Sequence, residues 1–424
     1  MKTTIELLQA HSQVSDYKIN IHQKESYELF FVKGKLETVR CTDTCDKEVT
    51  VYVDHGEFKG DAQFFLYPST TKQQIGDLID EAVEKALLIN NKTYELPANE
   101  QGEFVVESNF TDYDPAELAA AIAKAVFAAN QVPNASLNSV EVFITKHTQS
   151  VQNSRGLQKS QVSYDAMVEA IPTYNGADQS VELYEQYNFS TLSEETLVRE
   201  IAEKMEQVKA RYEAVKPDFA MNCAVILNKE ELATLFSAIA GDLNYASVYS
   251  HANLFKKNDR IQKNPEGDKI GITMAGEARG SVRSAKFDED GMSLGSIRLV
   301  EQGSAANYYG SNRYGQYLNE QPTGNLRCML VDAGSAAQEE FEQGSYLEVV
   351  SMSGLQVDLN NDYIGGEIRL AYFNDGTKVT PVTGISVSGV LSDVLNHIRL
   401  SAATGIHNGY VGPEKAVLNN MKIF

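Results

Sequence analysis

Residues 191–217 read TLSEETLVREIAEKMEQVKARYEAVKP. Leu197, Ile201, Met205, Val208, Tyr212 and Val215 recur there at three- and four-residue steps, the spacing of one apolar face of an α-helix. Thr191 followed by Glu194 has the pattern of a capping box. Lys216-Pro217 stops the helix, because proline brings no N–H and excludes helical geometry from the residue before it. Glu195 with Arg199, and Glu200 with Lys204, stand four apart and read as exposed ion pairs.

Upstream of this helix, residues 140–146, 161–171 and 181–189 are alternating or β-branched, with a turn at Asn175-Gly176, and read as an antiparallel meander. The same order stands earlier in the chain: 27–32, a Lys33-Gly34-Lys35 turn, 49–53 and 64–66, then a helix over 71–89. In that helix Thr71 and Gln74 form the capping pair, and Ile75, Leu78, Ile79, Ala82, Val83 and Ala86 share one side. A third helix begins at Asp114-Pro115 and runs to residue 129. Matching Gly60 to Gly176 and Thr71 to Thr191 gives an offset of about 115 to 120 residues, as a duplicated helix–antiparallel meander–helix unit requires.

Downstream of Pro217 the texture changes. One helix, 228–240, is capped by Asn228 and Glu231, and glycine-punctuated short strands follow it. The fold class expected is therefore α+β. Residues 1–218 form a duplicated N-terminal domain, with repeats of about 1–91 and 114–216, and residues 219–424 form a β-rich C-terminal domain. A chain of 424 residues with 42% apolar content can fill such separate cores.

Thirty-seven basic against 58 acidic residues leave a net charge of -21. That charge repels phosphate backbones and anionic membranes, and no cluster of Lys and Arg overrides it, so no nucleic-acid or membrane partner is expected. No apolar run approaches the roughly 18 residues of a membrane span, and the start lacks a signal-peptide core, so the expected location is cytoplasmic. Cys41, Cys45, Cys223 and Cys328 are too few for a disulfide framework and have no partner pair at zinc spacing; they read as reduced thiols.

Motifs for autonomous chemistry fail on inspection. His11, His22, His55, His147, His251, His397 and His407 never occur four or five apart, so no helix can offer two imidazoles to one metal ion. Gly291-Met292-Ser293-Leu294-Gly295 has the G-x-S-x-G form, but a polar turn precedes it and a strand follows, where a nucleophile elbow needs a helix. Asp358-Leu359-Asn360-Asn361-Asp362 begins like a calcium loop, yet Tyr363 replaces the turn glycine and Arg369 the final glutamate, so it reads as a turn. Glycines between 271 and 280 lack both the phosphate-loop and the dinucleotide patterns.

Several segments follow one another in a telling order. They are Asn253-Leu254-Phe255, residues 276–284, Ile297-Arg298-Leu299-Val300-Glu301-Gln302-Gly303, Asn312-Arg313-Tyr314-Gly315, Thr323-Gly324-Asn325-Leu326-Arg327, and the run from 346 through Gly365-Gly366-Glu367 to Pro381-Val382-Thr383-Gly384-Ile385-Ser386-Val387-Ser388-Gly389. In the first half, Asn153-Ser154-Arg155-Gly156 precedes a strand ending Val168-Glu169-Ala170. This order resembles the PmbA/TldD family, also called modulators of DNA gyrase, over nearly the whole chain.

The resemblance implies a duplicated α+β part joined to a β-rich part, and paired subunits of which one carries an H-E-x-x-x-H zinc helix and a later cysteine ligand. Here the corresponding helix, residues 228–242, holds no His, and no Cys follows Cys328. The chain therefore looks like the metal-free, TldE-like subunit, without catalytic or metal-binding residues of its own. The expectation is a non-metal subunit of a peptidase complex, shaping a peptide cleft by strand addition, with zinc only in a TldD-like partner. The alternative is a self-associating peptide-binding protein without peptidase activity. The family-like segments supply the candidate groove residues Asn312, Tyr314, Thr323, Gly324 and Asn325.

Overall fold

The computed structural model describes residues 1–129, 131–219, 221–341 and 343–424. Helix α1 (Lys2–Ala10) precedes the strands β1 (Asp16–Val32), β2 (Lys35–His55) and β3 (Phe58–Phe65), and α2 (Lys72–Ala86) closes the unit. After β4 (Gln101–Val105) the order returns: α3 (Pro115–Ala128), β5 (Ala135–Asn153), β6 (Gln158–Asn175), β7 (Ser180–Glu182), β8 (Glu185–Phe189) and α4 (Glu194–Glu213). All these strands join one sheet of order β3-β2-β1-β5-β6-β4, with β7 and β8 also paired to β6.

The two copies meet through their first strands. β1 and β5 run antiparallel from Lys18 opposite Asn153 to Val32 opposite Ser139, which places a pseudo-two-fold axis near the central pair Glu25 and Lys146. The helices lie on one face: α2 covers Ile19, Val49 and Val51, while α3 and α4 cover Val140, Val142, Ala166 and Val168. The opposite face is polar, carrying Lys18, His22 and Glu28 on β1 and Lys159 and Gln161 on β6. This explains why β1 and β2, 17 and 21 residues long, are only partly visible in the sequence. The middle of β1 and the first half of β2 lie where neither helix pair covers the sheet, so hydrophobic alternation fades there.

Helix ends follow the local chemistry with one shift. Thr71 Oγ1 accepts the Gln74 N–H and the Gln74 side chain accepts the Thr71 N–H, a complete capping box. Asp114 caps α3 with proline at its first turn. For α4 the cap is Ser193, not Thr191, and the helix starts at Glu194. The exposed pairs expected on α4 do not form as such. Lys204 turns inward to Glu185 on β8 at 2.6 Å, and Glu200 reaches Lys229 at 2.6 Å, because α4 lies against both the sheet and the second half of the chain.

That second half opens with β9 (Ala224–Asn228), α5 (Lys229–Asp242), α6 (Tyr245–Tyr249), β10 (Ile272–Ala275), β11 (Ser296–Glu301), β12 (Ser304–Ala305), α7 (Asn312–Leu318), β13 (Cys328–Val331) and α8 (Gln338–Phe341). It continues with β14 (Tyr346–Asp358), β15 (Tyr363–Asn374), β16 (Val379–Val382), β17 (Ile385–Val390), α9 (Leu391–His397), β18 (Arg399–Leu400), β19 (Thr404–His407), β20 (Tyr410–Pro413), β21 (Lys415–Leu418) and β22 (Lys422–Ile423). One sheet has the order β12-β11-β10-β13-β20-β19 and the other β18-β21-β9-β14-β15-β17-β22, with β16 beside β15. Leu232, Leu235, Phe236 and Ile239 of α5 sit in the core that both sheets share. The architecture is α+β and β-rich, as expected.

The two motif-like turns are turns. Leu294 N–H donates to Lys286 O and Asp288 N–H to Met292 O, so residues 286–294 form a hairpin with Gly291 at φ +83°. Asp358 Oδ1 accepts the Asn361 N–H in the β14–β15 turn.

Candidate functional site

α5 stands where the resemblance expects the zinc helix. Asn228 Oδ1 caps it through the Glu230 N–H at 2.8 Å, and Glu231 does not complete a box but is buried, 6% exposed. Its inward residues are Leu232, Leu235, Phe236 and Ile239. The acidic groups on the helix have other surroundings. Asp242 accepts the N–H groups of Leu254 and Phe255 at 2.6 and 2.9 Å, which fixes the 253–255 segment. Glu231 Oε2 has no hydrogen-bond partner, and burial, reinforced by repulsion from Glu230, pushes its carboxyl up to about 8. A neutral carboxyl beside the Lys204–Glu185 pair does not make a zinc site, which wants imidazole or thiolate donors. Among the described residues, no three His, Cys, Asp or Glu side chains gather as a metal-binding group.

The five candidate groove residues fall within one unit built on α7 and the return after it. Asn312 is buried and fully engaged: Nδ2 donates to Glu95 O at 2.7 Å and Oδ1 accepts from Gln316 Nε2 at 2.9 Å. Tyr314 lies 5.6 Å from Tyr249 and 5.9 Å, edge-on, from Tyr317. Thr323 Oγ1 accepts the Gly310 N–H at 2.9 Å, tying the return strand to the start of α7. Gly324 needs its φ of +74°, and a Cβ there would stand 2.4 Å from Leu294 Cδ2. Asn325 N–H donates to Asp288 Oδ2 at 2.9 Å. The same carboxylate takes the Asp290 and Met292 N–H groups on its other oxygen.

This unit is also where the two halves of the molecule join. Arg313 stacks over Tyr94, Tyr314 and Tyr317 at 5.5 to 5.7 Å, and Tyr317 OH donates to Lys92 O at 2.5 Å. Alongside it, the 286–294 hairpin docks on the polar face of the first sheet. Lys18 Nζ meets Asp290 at 2.5 Å, and buried Lys159 Nζ reaches Glu100, Gly291 O and Ser293 Oγ. Ser293, the serine of the G-x-S-x-G pattern, thus accepts from a lysine and donates to Glu100, with no histidine at hand.

Two features escaped the sequence reading. A cavity of about 300 Å³ opens beneath α3, lined by Tyr27, Phe110, Tyr113, Leu118, Ile144 and Tyr164 among others, with the Lys146–Glu25 pair beside it; none of the five candidates lines it. On the polar face, His22 Nε2 lies 3.1 Å from His147 Nδ1, and His147 Nε2 lies 2.6 Å from Asp165. Burial, then the neighbouring His147 and Lys24, lowers the His22 pKa. The two histidines are 125 residues apart, near the internal repeat length. Strand pairing brings them together, and helical spacing cannot reveal that.

Residues 220–423 match the model of the PmbA/TldA metallopeptidase C-terminal domain. No curated protein sequence matches the chain. Among solved structures, TldE from Thermococcus kodakarensis superposes with a TM-score of 0.79 at 14% identity, covering 100% of this chain and 98% of that one. A protein from Bacteroides thetaiotaomicron VPI-5482 named a modulator of DNA gyrase does so at 0.79 with 12% identity, over 100% and 97%. One of the same description from Thermotoga maritima MSB8 gives 0.77 with 14% identity, over 100% and 99%. No helix among the described residues is long and apolar enough to cross a membrane. Residues 220–423 thus form a C-terminal domain of the PmbA/TldD metallopeptidase family, on a chain whose whole length shares the fold of these solved structures.

Proposed function

We propose that this chain is the metal-free subunit of a cytoplasmic two-chain peptidase, in which a TldD-like partner holds the zinc and this chain shapes the cleft that receives the peptide. The observation that carries the reading is α5. Its inward positions are filled by Leu232, Leu235, Phe236 and Ile239, and its one buried unpaired carboxyl is held protonated. Gaining a metal there would mean replacing core side chains, so the helix serves packing. The full-length likeness to a protein named TldE supports the same reading.

Within the candidate groove, Asn312 and Thr323 spend their side chains on internal bonds, and Gly324 shapes the turn. The half-buried Tyr314 ring and Asn325 side chain are left to face a peptide. The test is co-expression with the zinc-motif homologue of the same genome. A stable complex is expected, and Tyr314→Ala with Asn325→Ala should raise its KM for peptide with little change in kcat. Failure of the two chains to associate would overturn the reading. A second reading, a self-associating peptide-binding protein without peptidase activity, draws support from the open strand edge described next.

A further inference from the structure

The first sheet has one long unpaired edge. β3 pairs with β2 only from Glu48 to His55, and the last contact is the Leu66 N–H donating to Lys47 O at 2.8 Å. Among the described residues, no strand lies outside residues 35–46 of β2. The corresponding edge of the second copy is closed, because β6 is paired by β4 over 158–162, by β8 over 166–170 and by β7 over 173–175. The duplicated unit is thus symmetric inside and asymmetric at its borders.

The hydrogen-bonding potential of that edge can be read off the ladder. In an antiparallel strand a residue turns its N–H and C=O to the same side, and successive residues alternate. Lys47 O points outward to Leu66, so Cys45, Asp43, Cys41 and Val39 also direct both groups outward, with no strand to receive them. An edge of this kind invites another strand unless proline, a bulge or clustered lysine blunts it. Residues 35–47 contain no proline, and the one β1–β2 irregularity, opposite Phe30 and Phe31, falls at Glu37, outside the 39–45 set.

Charge and apolar exposure point to the occupant. The chain carries -21 overall, yet residues 35–47 balance Lys35, Arg40 and Lys47 against Glu37, Asp43 and Asp46. Two strongly acidic molecules can therefore approach along this edge without local repulsion. Val32, Leu36 and Val39, at 46%, 51% and 47% exposure, stand at its outer end. The outward set 39–45 is centred on Thr42, so a two-fold axis there sets four outward residues against the same four of another copy.

We infer that two copies of this chain pair antiparallel through the 39–45 edge of β2, making one continuous sheet across the dimer. This needs only a second copy and is independent of the peptidase reading. In any register centred on 41 to 43, a cysteine of one copy faces a cysteine of the other directly or diagonally, within roughly 8 Å.

The test is sedimentation of the purified full chain at micromolar concentration, with a short bis-maleimide as a probe. The expected results are twice the chain mass, covalent dimer through Cys41 or Cys45, and for Cys41→Ser with Cys45→Ser the same mass without cross-linking. Asp43→Pro removes an outward N–H that bonds nothing within the chain, and should sediment as a monomer with an unchanged circular-dichroism spectrum. Should that variant fail to fold, Val39→Lys with Cys45→Lys blunts the same edge and should give the same monomer. A monomeric wild type, or a dimer that survives the edge variants, overturns the inference. So does an edge that captures only the zinc-motif homologue. Peptidase assays of the mixed subunits test the other reading separately.

Discussion

Glu231 is a buried carboxyl pushed well above the ordinary carboxylate range. Burial holds its carboxyl up to about 8, so the folded state favours the protonated form. Its stabilising contribution is complete below the unfolded carboxylate pKa near 4.5 and is lost as pH rises through about 8. Glu231→Gln keeps the shape and cannot ionise. It should therefore leave stability at pH 5 nearly unchanged and raise it at pH 9 by on the order of 2–4 kcal/mol, read as a higher thermal midpoint. An equal pH dependence in both proteins would contradict the assignment. Asp288 gives a second test: Asp288→Ala strips the acceptor from the N–H groups of Asp290, Met292 and Asn325 and should cost about 2–4 kcal/mol in urea unfolding.

Among the elements, the 286–294 hairpin is the clamp between the halves, and Lys159 is its anchor. Lys159→Met leaves Gly291 O without its donor and Glu100 with only the Ser293 hydroxyl, and should cost about 1–3 kcal/mol. Hydrogen exchange should then rise in residues 286–294 and 310–326 and stay unchanged in α3. Uniform loosening of the whole chain would speak against a local clamp. The legibility of the elements followed burial. The capping box of α2 and the proline start of α3 were plain, because local side chains decide them. The exposed pairs assigned to α4 were not, since Lys204 and Glu200 answer to β8 and Lys229, which lie elsewhere in the sequence. The long β1 and β2 were seen only where helices cover them. Likewise the segments around Asn312 and Thr323 could be picked out in the sequence, but their ties to Glu95 and Gly310 could not.

For the whole molecule, the duplicated unit supplies a rigid sheet, and the second half, held on it by Arg313 and the hairpin, carries the helix that the family resemblance associates with zinc. Here that helix is committed to the core. The account stands or falls on whether this chain completes a partner's active site without bringing a metal of its own. The direct measurement is zinc content and peptide cleavage for the purified chain, for its zinc-motif homologue, and for the two mixed. Stoichiometric zinc in the homologue and in the mixture, none in this chain, and cleavage well above either chain alone on mixing are the expected result. Tight zinc and cleavage in this chain by itself would contradict it.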